Sequence, residues 1–234
     1  MGGRFVKVDK LGSFMIPSLV NTSSSGEGLG NEKTGNQANM LGYVVAKKLF
    51  DLVLSIMLLP VFFTGCLILA TANPFLNRGP MFYVQKRMGR DCKPFMAIKF
   101  RSMTCVAEVT RGADDPLEVN RITPLGGFLR KSRLDEIPQI INVFRGEMSL
   151  IGPRPDCYEH AETYIESIPG YRERHAALPG ISGLAQTEVG YVQGIDATRL
   201  KVAADLDYIN RQSFRLDTWI LWRTLKIVAG RGGA

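Results

Sequence analysis

Between Leu49 and Ala72 the chain reads LFDLVLSIMLLPVFFTGCLILATA, a run of 24 residues whose single charge is Asp51. A helix of that length matches the roughly 30 Å hydrocarbon core of a bilayer. Helices of soluble cores rarely stay apolar on every face for so long. Lys47 and Lys48 precede the run, and Arg78, Lys86, Arg87 and Arg90 follow it. Positive charge on both flanks favours a hairpin that enters and leaves through one leaflet, whereas a single span normally shows asymmetry. Pro60 falls near the middle, where its ring clashes with the preceding turn and its missing N–H removes a bond, so a kink is expected there. A kinked spanning helix stays open on these residues alone.

That segment divides the chain. Residues 1–40 are rich in Gly, Ser and Asn around SSSGEGLGNEKTGNQ and are expected to be a disordered tail. Leu11–Val20 is broken by Gly12, Ser13, Pro17 and Ser18 and has no clear small-residue cleavage site, so a signal peptide is not expected. Residues 41–76 form the anchor, and 77–230 are long enough to bury a core of their own. In that last part, Met81–Gln85 and Phe95–Phe100 read as strands around a Gly89–Pro94 turn. Glu108–Asn120 reads as a polar loop, Leu134–Phe144 and Cys157–Ser167 as helices, and the glycine-rich PGISGLAQ segment as a loop. Asp196–Gln212 is amphipathic. The stretch from Phe214 to Val228 mixes Trp219 and Trp222 with Arg215, Arg223 and Lys226, a pattern suited to the membrane–water interface or to ordinary docking. The fold class that results is α/β, mainly helical, with short strands and C-terminal amphipathic helices.

The formal charge of +7 points to anionic partners. Cys66, Cys92, Cys105 and Cys157 have no paired spacing and read as free thiols. His160 and His175 are too few and too isolated for a zinc site, and a Walker A sequence is absent.

The chemistry gathers between Arg130 and Pro155, in RKSRLDEIPQIINVFRGEMSLIGPRP. Asp135 and Glu136 are adjacent, with Arg130, Lys131, Arg133, Arg145 and Arg154 around them. An arbitrary acidic pair usually belongs to a solvated helix face. Here Pro138, Gly146 and the close-set Gly152-Pro153-Arg154-Pro155 argue for a rigid turn that presents one arginine. Carboxylates suit a hard cation such as Mg²⁺, and fixed cations suit phosphate oxygens. A carboxylate can also attack phosphorus and form an acyl phosphate. The residues do not say which acid would attack. Lys99 and Arg101, two apart in KFRSM, would share a face at strand spacing.

LDEIPQIINVFRGEMSLIGPRP closely resembles the signature of the bacterial sugar transferases, the monotopic phosphoglycosyl transferases of polysaccharide assembly. KKLFD (Lys47–Asp51), KFRSM (Lys99–Met103), PGISGLAQ (Pro179–Gln186) and DLDYI (Asp205–Ile209) follow in the family's order. The likeness covers about Lys47 to Val228. It implies a re-entrant helix–break–helix in the cytoplasmic leaflet of the bacterial inner membrane, although Leu59 stands where relatives commonly carry Ser before the proline. It implies that Asp135 attacks the β-phosphorus of a UDP-sugar, that UMP leaves, and that undecaprenyl phosphate then takes the phosphosugar. Asp135 and Glu136 would hold Mg²⁺, and Lys99, Arg101, Arg130 and Arg154 would bind phosphate. Gln186 and Asp205 would line the pocket, while Arg133 receives no catalytic role. A homodimer is compatible with the family, and the sequence selects no oligomeric state or donor sugar.

Three rivals stand beside that reading. A lipid-binding scaffold or regulator would use the basic face without catalysis. A nucleic-acid-binding protein fits the charge, but no basic helix with interleaved aromatics or recognised motif appears. A glycosyltransferase moving sugar alone would release UDP.

Overall fold

The computed structural model describes residues 29–106, 118–189 and 195–230. Most of the polar loop expected at Glu108–Asn120 lies outside the described residues, as do residues 190–194. The chain divides into two compact units, Met1–Asn39 and Met40–Ala234. The expected anchor and the expected catalytic part thus belong to one unit.

Helix α1 runs over Leu29–Leu76 as one element, with Pro60 and Pro74 inside it. It begins well within the segment expected to be tail. A helix already formed downstream extends without a new nucleation step, so composition alone is a poor guide to where it starts. The helical assignment also passes through Pro60 instead of dividing there.

One stripe of α1 binds the rest of the unit along its length, at steps of three and four residues. Tyr43 Oη and Lys47 Nζ each lie 2.9 Å from Asp217 Oδ2, and Phe50 packs edge-on against Phe214. Asp51 Oδ1 accepts from the Leu150 amide at 3.1 Å. Leu54 and Leu58 pack on one core cluster, and Phe62, Cys66 and Leu69 on another. The far end is tied by Asn73 to the Gly79 carbonyl and by Asn77 to the Arg101 carbonyl. The other side of α1 exposes Val45, Leu49, Met57, Phe63 and Leu67, each at least 60% accessible. Among the described residues this is the helix long and apolar enough to cross a membrane.

Strands β1 (Phe82–Met88) and β2 (Pro94–Phe100) form an antiparallel hairpin with Phe82 opposite Phe100. Those two rings stack with each other and with Phe62 of α1. Helix α2 (Pro124–Lys131) starts on Thr123, whose hydroxyl accepts from the Gly126 amide, with Pro124 at its first turn. The helix expected at Leu134–Phe144 is instead a 3₁₀ turn, Leu134–Gln139, followed by the short α3, Ile140–Phe144. Pro138 within it favours the tighter turn over a regular helix.

Strand β3 (Ser149–Ile151) pairs in parallel with β4 (Gly180–Ser182), and α4 (Tyr158–Ser167) lies between them in sequence. The PGISGLAQ segment is therefore not a loop: it forms β4 and the start of α5 (Leu184–Glu188). Its glycines serve close approach. A Cβ on Gly180 would meet the Gly152 amide at 2.1 Å, and one on Gly183 the Gly152 carbonyl at 2.2 Å. Helices α6 (Ile195–Asn210) and α7 (Phe214–Ala229) close the unit, and Asp217 of α7 is fully buried against α1. Trp219 and Trp222 on the outer side of α7 carry Arg223 and Lys226 over their rings.

Candidate active site

Arg133 adopts a left-handed conformation, φ 59°, which ends α2 and starts the 3₁₀ turn that carries Asp135 and Glu136. A 3₁₀ turn separates adjacent side chains by about a third of a revolution, and the two acids have different surroundings. Glu136 is held by cations on both oxygens. Lys99 Nζ donates to Oε1 at 2.8 Å, Arg154 donates to Oε1 through Nη2 and to Oε2 at 3.2 Å through Nη1, and Arg133 lies 3.5 Å from Oε2. Burial raises the Glu136 carboxyl, but Arg154 and Lys99 outweigh it and hold the group well below the usual range.

Asp135 is also buried, but no hydrogen bond or ion pair to its carboxylate is found among the described residues within bonding distance. Burial and the neighbouring Glu136 charge raise its carboxyl, against the pull of Lys99, Arg130 and Arg154. Adjacent residues thus become an ion-paired carboxylate and a more basic one. Burial lowers Lys99 to about 8, against the attraction of Glu136.

Arg154 stands on the turn after β3. A Cβ on Gly152 would come within 2.4 Å of the Leu178 carbonyl, so only glycine lets this turn lie against the strand that leads into β4. The Arg154 side chain remains 26% exposed, and Nη1 also lies 3.5 Å from the Ile181 carbonyl. Gln186 donates to that same carbonyl at 3.2 Å, which places it beside Arg154, and its buried Oε1 has no partner among the described residues. Arg130 occupies the last turn of α2 and acts on Asp135 through charge.

Two residues sit elsewhere than the sequence suggested. Arg101 is buried and spends its guanidinium on the end of α1: Nε donates to the Pro80 carbonyl, and Nη1 and Nη2 donate to the Asn77 side chain and carbonyl. It anchors the chain leaving α1, and strand spacing could not reveal that Asn77 would capture it. Asp205 is 1% exposed and lies behind the turn, paired to Arg174, instead of on a pocket wall. Burial raises its carboxyl to about 6 in spite of Arg174.

Sequence reasoning named Arg133 but gave it no catalytic role, and it lies 3.5 Å from Glu136; it missed Arg174, the buried cation of the second layer. It also passed over Asn142. Fully buried, that side chain accepts from the Ile98 amide and donates to the Met96 carbonyl, fixing α3 to β2 beside Lys99. An asparagine inside the apolar IINVF stretch was the available signal.

No group of three or more His, Cys, Asp or Glu side chains gathers among the described residues. Asp135 can offer an oxygen to a divalent cation, and Glu136 can do so through Oε2, whose partners Arg154 Nη1 and Arg133 are the more distant ones, while Oε1 keeps Lys99 and Arg154 Nη2. Chemically, the arrangement supplies a basic carboxylate beside fixed cations, which suits attack on a phosphate ester or anhydride.

The family model described as bacterial sugar transferase matches residues 42–231. A UDP-glucose:undecaprenyl-phosphate glucose-1-phosphate transferase of Caulobacter vibrioides is 39% identical over 78% of this chain and 66% of its own length. A UDP-N-acetylgalactosamine-undecaprenyl-phosphate N-acetylgalactosaminephosphotransferase of Aeromonas hydrophila is 36% identical over 82% of this chain, but only 45% of its own. The exopolysaccharide production protein PSS of Rhizobium leguminosarum is 34% identical over 81% of this chain and 98% of its own. The chain thus spans less than two-thirds of the first two relatives and nearly all of the third.

Proposed function

The chain belongs to the bacterial sugar transferase family, and from that premise we propose that it transfers a sugar-1-phosphate from a UDP-sugar to undecaprenyl phosphate. The observation that carries the reading is the split between the two acids: Glu136 neutralised by Lys99 and Arg154, and Asp135 buried, raised and with no ion pair among the described residues. Asp135 attacks the β-phosphorus of the donor. The bond from that phosphorus to the α–β bridging oxygen breaks, UMP leaves, and the sugar phosphate remains on Asp135 as an acyl phosphate. A phosphate oxygen of undecaprenyl phosphate then attacks the same phosphorus and regenerates the carboxylate.

Arg154, Lys99 and Arg130 stabilise charge on the phosphates in both steps, and Glu136 keeps the first two in place. Asp135 and Glu136 are the carboxylates to which Mg²⁺ falls, and the ion would neutralise phosphate oxygens when bound. Glucose and N-acetylgalactosamine in the relatives' names leave the donor to experiment.

The lipid acceptor explains the exposed side of α1. Residues before and after Pro60 hold the same unit, Lys47 and Asp51 on one side and Phe62 and Leu69 on the other. A helix bound at both ends to one unit supports insertion into the cytoplasmic leaflet of the inner membrane with Pro60 as the bend, in preference to a crossing. Trp219 and Trp222 of α7 would sit at its head-group level.

The test is nucleotide release from a panel of UDP-sugars by detergent-solubilised protein with Mg²⁺ and undecaprenyl phosphate. UMP release over many turnovers that needs the lipid, and is absent in Asp135→Asn, is the expected result. UDP in its place would mean transfer of the sugar alone. No nucleotide from any donor by folded protein would favour a lipid-binding scaffold.

A further inference from the structure

Arg174 has no part in the scheme above, although it is among the most buried cations of the unit. It lies in the 3₁₀ turn Glu173–Ala176, directly behind the Pro153–Pro155 turn, and is 3% exposed. Nε donates to Asp205 Oδ2 at 2.9 Å, Nη1 to Asp156 Oδ2 at 2.6 Å, and Nη2 to the Arg154 carbonyl at 2.7 Å. Tyr171 closes the cluster, with its hydroxyl donating to Asp156 Oδ2 at 2.7 Å and its ring 5.1 Å from the guanidinium.

For stability alone this is an uneconomical device, because packed apolar residues commonly do as well as buried ions. An apolar residue could not hold a backbone carbonyl. The carbonyl that Arg174 holds belongs to the residue whose side chain grips Glu136. The neighbouring carbonyls are held too: Pro153 by the Gly180 amide at 2.9 Å and Pro155 by Arg87 Nη1 at 2.5 Å. Pro153 and Pro155 have φ fixed by their rings, and a residue before proline is itself restricted. What remains adjustable is the peptide that follows Arg154, and Arg174 fixes it.

We propose that Arg174 is a positioning residue for the transfer reaction, setting the Arg154 backbone so that its guanidinium meets the donor phosphate. The inference rests on the function proposed above. A guanidinium displaced by about an ångström loses 10- to 100-fold in rate.

A double-mutant cycle tests it, with kcat/KM for UMP release as the readout. Arg174→Lys keeps the charge beside Asp156 and Asp205 but lacks the planar fork that reaches three acceptors at once. It is expected to lower kcat/KM about 10- to 100-fold, and Arg154→Ala about 10²- to 10³-fold. In the double variant Arg174→Lys should add less than about twofold, because the group it positions is gone. Losses that multiply would overturn the proposal, as would an Arg174→Lys loss that merely follows the folded fraction. If Arg174→Lys does not fold, Asp156→Asn takes its place in the cycle with the same expectation. Wild type that releases no UMP refutes the transfer reading itself, a result separate from additivity in an active enzyme.

Discussion

Two ion clusters lie back to back across the Pro153–Pro155 turn, built from the same residue types in opposite proportion. In front, among the described residues, Glu136 faces the three cations Lys99, Arg133 and Arg154, and Arg154 stays partly exposed. Behind, one cation, Arg174, faces two carboxylates, Asp156 and Asp205, with Arg174 and Asp205 sealed from water. The front cluster has a side open to a ligand, where Arg154 is 26% exposed. The rear one spends its charge internally and leaves a single donor, aimed at a carbonyl. Imbalance beside solvent makes a binding site, whereas imbalance under cover makes a fixture.

Substitutions should separate the two clusters cleanly. Asp135→Asn is expected to lower UMP release by at least about 10³-fold, since a nucleophile has no substitute. The same change should leave thermal stability equal or higher. Asp135 has its carboxyl raised in the fold, so its ionised form opposes folding above the unfolded value of about 3.9. A UMP-release assay checks the first half, and thermal unfolding followed by circular dichroism the second.

Arg174→Ala should behave oppositely, with stability as the first casualty. It strands Asp205 in a buried site and takes a partner from the partly exposed Asp156, a loss of about 3–5 kcal/mol, which for a unit of this size lowers Tm by roughly 10 °C. An unchanged Tm would mean that the rear cluster is not a fixture.

The smallest contrast is in pH. With Lys99 lowered to about 8, activity should fall about tenfold between pH 7 and pH 9 as that charge is lost. Stability has the other sign. The unfolded lysine, near 10.4, binds the proton that the folded one has released, so the cost of burying this charge is relieved, and stability rises, from about pH 8 to about pH 10. Lys99→Arg, charged throughout, should flatten the alkaline limb of the activity profile.

The front cluster was largely legible in the sequence because its members are close together or motif-borne: Asp135 and Glu136 adjacent, Arg154 between prolines, Lys99 on a strand. The hairpin and α7 were legible for a similar reason, since turn residues and apolar periodicity are local signals. The rear cluster was not. Arg174 sits in YRERHAALPG among other charges, and nothing local says that this arginine folds inward to meet Asp205, 31 residues later. Arg101 failed for the same reason, since its partner Asn77 lies 24 residues away. The PGISGLAQ glycines misled because glycine marks both looseness and tight approach, and only the distance to Gly152 distinguishes them.

The central claim is that Asp135 carries the phosphosugar. Protein incubated with a UDP-sugar and Mg²⁺, without lipid acceptor, then quenched and digested, should yield the peptide containing Asp135 heavier by one sugar phosphate. Undecaprenyl phosphate added before the quench should remove that mass. Stoichiometric UMP release with the peptide unmodified, or an adduct that survives in Asp135→Asn, would contradict the account.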